Sequence, residues 1–154
     1  MAQPHSQRIE GTFKVFRLRA VRENVHRLCE FALSQARAAG IQEKRLFELE
    51  VVLEEILSNI VHHAYRDHNQ LNAWMKVGID SSPEKRLLRI KVEDAGIQFD
   101  IFSVASADTN SPLLERPVGG LGVHLVRQLA VNSRYERTPE GLNRLSFEIP
   151  IDQS

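Results

Sequence analysis

Glu55, Asn59, His63 and Arg66 recur along LEEILSNIVHHAYRD, residues 53–67, at spacings of four, four and three. As residue types they offer a carboxylate base, an amide oxygen able to ligate Mg²⁺, and two donors suited to phosphate. On a helix turning about 100° per residue they fall at about 0°, 40°, 80° and 20°, so they share one narrow face. Leu53, Ile56, Leu57, Ile60 and Val61 supply an apolar face beside it. Taken alone, the stripe also fits a solvated face with an incidental ion pair. Glu50 and Glu54 already provide charge for a solvent side, which leaves the four residues available to line a cavity.

Two further stretches carry chemistry. In LLRIKVEDAGIQFD, residues 87–100, Leu88, Ile90 and Val92 share one strand face. Asp94 has the same parity, so its carboxylate points to the buried side as the strand ends. A buried carboxylate is costly without a donor, and an adenine amino group would serve as one. Gly96 follows where a side chain would obstruct a flat ring nearing the backbone. An Asp-x-Gly turn after a strand also accounts for these residues. In RPVGGLGVHLVRQLA, residues 116–130, Gly119, Gly120 and Gly122 form a loop that runs into an amphipathic helix bearing Val123, Val126, Leu129 and Ala130. Free N–H groups at a helix start make an anion site. Many glycine-rich turns are only loops, and this one is neither a dinucleotide fingerprint nor a Walker A loop.

The elements that must position these groups follow from periodicity. A chain of 154 residues fits one domain with a real core. Residues 12–20 read as a strand, 21–39 as a helix stopped by Gly40, and 43–65 as a second helix. AWMKVGID and RLLRIKVED read as strands joined by SSPEK. Residues 95–118 have no clean period and contain Pro112 and Pro117. A helix over 122–131 precedes a closing hairpin of SRYERT and RLSFEIP, joined by PEGLN. Helices grouped apart from mostly consecutive strands predict an α+β fold, a two-layer sandwich with a mixed sheet and helices on one face. Lys plus Arg and Asp plus Glu each number 20, so the zero net charge argues against a nonspecific polyanion binder. The single cysteine, Cys29, has no partner for an internal disulfide. No run is long enough to span a membrane and no signal-peptide core is present. A soluble cytoplasmic domain is the expectation.

In this order the three stretches resemble the GHKL ATP-binding fold, which histidine kinases and gyrase share. The likeness is strongest to its anti-sigma-factor serine/threonine-protein kinase branch. LEEILSNIVHHAY is similar to that branch's N-box, VEDAGIQFD to its first glycine box, GGLGVHLVRQLA to its second, and YERTPEGLNRLSFEI to its ending. The resemblance covers residues 12–150, with 1–11 expected as a flexible tail. It implies that Glu55 is the general base, that Asn59 coordinates Mg²⁺ on the phosphates, and that Asp94 binds the adenine amine beside Gly96. It further implies that Gly120, Leu121 and Gly122 meet the phosphates, that His63 and Arg66 contact ATP, and that 103–118 form a lid.

The partners so implied are a sigma factor held inactive and a STAS-domain antagonist phosphorylated on serine or threonine. A homodimer is implied too, without direct nucleic-acid or membrane contact. Two alternatives stay open: a non-catalytic, ATP-dependent binding module, and a kinase regulator whose target is not a sigma factor. The family often places a hydroxyl on its last strand to help hold adenine. Ser146 is the candidate, but it alternates with Leu145, Phe147 and Ile149 and so would face away. The remaining residues read simply: Cys29 and Trp74 as packing, and Lys85, Arg86, Arg89 and Lys91 as a solvent-facing strand side. His26, His62, His68 and His124 lack metal-ligand spacing.

Overall fold

A hairpin opens the domain, two helices follow it, and two further hairpins stand on either side of a third helix. The computed structural model describes residues 6–64, 73–102 and 120–152. In chain order these form β1 (Ser6–Glu10), β2 (Phe13–Arg19), α1 (Glu23–Ala38), α2 (Glu43–Asn59), a π-helical turn (Ile60–Ala64), β3 (Trp74–Ser82), β4 (Leu87–Asp94), α3 (Gly120–Leu129), β5 (Asn132–Arg137) and β6 (Asn143–Pro150). The six strands make one sheet in the order β1-β2-β3-β4-β6-β5. This is the expected two-layer α+β sandwich.

The sheet is antiparallel at every pairing, where a mixed sheet was expected. Connectivity gives the reason. Two helices between β2 and β3 return the chain to the end it left, so those strands run oppositely. The connection through α3 brings β5 back parallel to β4. Its hairpin partner β6 then inserts between them and opposes both. A second difference lies at the N-terminus. Ser6–Glu10, within the stretch expected as a flexible tail, pairs with β2 as an edge strand. Gly11, at φ 63°, takes the first position of the two-residue turn, as a type II′ hairpin requires. The polar composition of β1 reflects its edge position, not a lack of structure.

Parity sorts the strand residues. Leu18, Met75, Val77, Ile79, Leu88, Ile90, Val92, Leu145, Phe147 and Ile149 are all buried in the core beneath the helices. From α1 come Val25, Leu28, Cys29, Ala32 and Ala36, at helical spacing. From α2 come Leu46, Leu49, Val52, Leu53, Ile56 and Leu57. Fully burying each large aliphatic side chain is worth roughly 1.5–3 kcal/mol, so this interface is the main source of stability. Arg45 of α2 donates to the Leu129 carbonyl (3.4 Å) and so ties down the end of α3.

The opposite sheet face carries charge. Lys76 bridges Glu10 (2.9 Å) and Glu93 (3.3 Å), and Arg144 joins Glu93 (2.8 Å) to Glu136 (3.1 Å). Lys91 lies over Phe13 and Arg17 over Trp74. Arg89 and Lys91 thus belong to a strand face that none of the described helices covers, as the alternation implied.

Candidate functional site

Between α2 and the β4–β6 end of the sheet lies a small cleft, open on one side, with a volume of about 30 Å³. Ile56, Asn59 and Ile60 form its helix side, Val92, Asp94 and Leu145 its sheet side, and Phe99, Ile101 and Tyr135 an outer wall. The walls are apolar and partly aromatic, with the Asp94 carboxylate and the Asn59 and Asn143 amides set into them. Such a slot suits a flat, weakly polar ring that carries an amino group.

Asp94 is 3% exposed, at the end of β4 on the parity of Val92. Its Oδ1 accepts from the Gly96 backbone N–H (2.8 Å) and from Asn143 Nδ2 (3.0 Å). Among the described residues nothing donates to Oδ2, which remains as an acceptor. The turn reading and the cavity reading of Asp-x-Gly are therefore compatible. One oxygen closes the turn, while the residue lines the cleft. Burial pushes the Asp94 carboxyl above its ordinary range, and the Asn143 and Gly96 bonds and the Arg137 charge pull it partly back. Gly96 is buried, and its carbonyl accepts from Arg137 Nη1 (2.8 Å), which fixes the segment leaving β4.

Asn59 is 5% exposed on an otherwise apolar face of α2 and reaches the same cleft. No described residue hydrogen-bonds its amide. It opens on the cleft, and its oxygen suits a hard cation such as Mg²⁺. Glu55, one turn earlier, is half-buried, and burial pushes its carboxyl above the usual range. A carboxylate so shifted is a better proton acceptor than an exposed one.

The stripe does not continue as drawn from an ideal helix. The chain passes into a π-helical turn at Ile60, whose i→i+5 bonding changes the angular step. The α-helical phase therefore carries from Glu55 to Asn59 and no further. The His63 side chain and Arg66 lie outside the described residues, as do the side chains of Gly120, Leu121 and Gly122 and the expected lid over 103–118. The backbone of Gly120, Leu121 and Gly122 is helical, so α3 takes in glycines that were expected to form the loop before it. Val123, Val126 and Leu129 bury the inward side of α3.

Two residues that the sequence reading passed over are central here. Asn143 opens β6 directly opposite Asp94. It shares the inward parity of Leu145, Phe147 and Ile149 and is the polar member of that set. Ser146 has the other parity and pairs with Lys91 and Arg134, away from the cleft. Tyr135 donates to Asn143 Oδ1 (2.6 Å). Counting parity along β6 for any polar residue, instead of for a hydroxyl, would have found Asn143.

The comparisons agree with this geometry. Residues 18–147 match the model of the histidine kinase-like ATPase domain. No curated protein matches the chain. The match runs from the end of β2 through most of β6 and takes in α2 and the Asp94 turn. The chain belongs to the histidine kinase-like ATPase domain family.

Proposed function

We propose that the domain binds ATP with Mg²⁺ in this cleft and phosphorylates a serine or threonine of a STAS-domain antagonist, and that it also sequesters a sigma factor. The observation that carries the nucleotide reading is the free oxygen of buried Asp94 at the base of an apolar slot, with Asn59 in the same slot. Asp94 would take the adenine amine and Asn59 the metal. Bound Mg²⁺ supplies charge neutralisation at the phosphates. Glu55 accepts the proton of the attacking hydroxyl as its oxygen bonds to the γ-phosphorus. The bond from that phosphorus to the β,γ-bridging oxygen breaks, and ADP leaves. The serine/threonine and anti-sigma parts rest on the likeness of the boxes and of the C-terminal hairpin. Asn59→Ala tests the metal assignment. Titration with a fluorescent ATP analogue, with and without a chelator, should show a Mg²⁺-dependent affinity in wild type that is missing in the variant. Equal sensitivity to chelation in both proteins would remove Asn59 from the metal site.

The homodimer belongs to the same proposal, and the β1 edge supports it. Among the described strands β1 has a neighbour on one side only. The pair Glu10–Phe13 closes the hairpin and exchanges both ladder bonds, so the backbone groups of Ile9 point to the open edge. Ile9 is 70% exposed. A two-fold antiparallel pairing centred on Ile9 sets Ile9 against Ile9 and Arg8 against Glu10 of the second copy. Centring on Arg8 would set like charges together. Ile9→Lys should therefore give a monomer in analytical ultracentrifugation, and an unchanged mass would clear the β1 edge of this role.

A further inference from the structure

Asn143 holds four hydrogen bonds with a single side chain. Its Nδ2 donates to Asp94 Oδ1 (3.0 Å) and to the Ile97 carbonyl (2.8 Å). Its Oδ1 accepts from the Phe99 N–H (3.1 Å) and the Tyr135 hydroxyl (2.6 Å). These partners fix the orientation of the amide. A reversed group would face oxygen with oxygen and N–H with N–H. Both hydrogens and both acceptor sites are in use, and Asn143 is 5% exposed. It therefore has nothing left to offer a ligand directly.

Its effect falls on Asp94. With Gly96 and Asn143 both donating to Oδ1, that oxygen is committed as an acceptor and the carboxylate cannot rotate. Oδ2 is then the only oxygen left to accept from a ligand, and any proton taken up by Asp94 must sit there. Protonated, Oδ2 would present a donor to an amino group. The same amide also pins Ile97 and Phe99, the first residues beyond the Asp94 turn, and Phe99 forms part of the cleft wall.

Resting on the adenine reading, we infer that Asn143 is a positioning residue for nucleobase recognition. It keeps Asp94 turned so that Oδ2 accepts the 6-amino group, and it ties that contact to the outer wall of the slot. A residue that merely stabilised the fold would affect all nucleotides alike. A positioning residue affects discrimination between ATP and purine riboside triphosphate, which lacks the amino group.

The experiment compares the affinities of both nucleotides for wild type, Asn143→Asp and Tyr135→Phe, with thermal melts of each. Asn143→Asp keeps acceptors for Phe99 and Tyr135 and turns the contact with Asp94 from attraction to repulsion. Tyr135→Phe removes one hydroxyl from a half-buried residue and provides a mild perturbation. Wild type should prefer ATP by roughly 10–100-fold, the worth of one charge-assisted hydrogen bond. Asn143→Asp should lose most of that preference, chiefly through weaker ATP binding, and Tyr135→Phe should lose part of it. Variants that keep the wild-type ratio, or that lose both nucleotides in proportion, overturn the role of Asn143. A wild-type chain that binds both nucleotides equally overturns the adenine reading itself.

Discussion

Asp94→Asn should weaken ATP binding by roughly 100-fold or more while leaving the apo protein as stable as wild type or more so. The two halves share one cause. The Oδ1 of an asparagine still accepts from Gly96 N–H and Asn143 Nδ2, so the turn and the clamp persist. The other position becomes an NH₂ group, which meets the adenine amine donor to donor. A site built around one polar partner discriminates strongly when that partner is mismatched. The stability half follows from linkage. Burial raises the Asp94 carboxyl in the folded state above its unfolded value. The folded protein then holds that proton more tightly than the unfolded chain does. Stability therefore falls as pH rises through the window between the two values, and above it the charged group is destabilising. The Asp94→Asn substitution removes this titration and its cost. Melting temperatures of the two apo proteins should differ most above that window and converge in acid, with ATP titration as the companion measurement. If the folded variant binds ATP like wild type, Asp94 does not read adenine.

The same residue shows how far the sequence could be read. Asp94 was legible because strand parity depends on backbone geometry alone, and Leu88, Ile90 and Val92 fixed the buried side. Asn59 was legible because a lone amide among apolar residues at helical spacing stands out. The π-helical turn at Ile60 was not legible. From Ile60 the backbone takes i→i+5 bonding, so the ideal-helix angle for His63 does not carry over. β1 was missed for a related reason. Its polar side chains resemble a solvated tail, and its order comes from backbone pairing with β2, which polarity does not report. Asn143 was not legible because the resemblance implies a hydroxyl on the last strand, and Ser146 is the hydroxyl residue there. The register that sets Asn143 opposite Asp94 depends on β6 inserting beside β4, a long-range pairing that local pattern does not encode. The antiparallel sheet has the same origin.

These gaps share a pattern. The groups legible in advance carry their chemistry in themselves: a carboxylate, an amide, a glycine. The groups missed act through others. Asn143 bonds Asp94 and the segment after it, Tyr135 bonds Asn143, and Arg137 holds the Gly96 carbonyl. All three sit on the C-terminal hairpin. That hairpin therefore does more than close the sheet: it fixes the carboxylate at the base of the cleft.

Glu55→Gln should retain ATP binding yet lower phosphotransfer to a STAS partner by roughly 10²–10⁴-fold, the usual worth of general acid–base catalysis. The substitution keeps the shape of the side chain and removes the proton acceptor. Glu55 is half-buried and makes no hydrogen bond to a described residue. Its burial also fixes the sign of a pH test. A base works when deprotonated, and burial raises this carboxyl above the usual range. Wild-type transfer should therefore fall on acidification at a higher pH than an exposed glutamate would give, and the residual rate of Glu55→Gln should lack that limb. Single-turnover transfer from labelled ATP, with melts of both proteins, measures each effect. A folded variant that transfers at the wild-type rate would leave the kinase standing and remove Glu55 as its base. A wild type that binds the STAS protein only with ATP, yet transfers nothing to it, would make the domain a nucleotide-gated binding module in which Asn59 and Asp94 serve the switch alone.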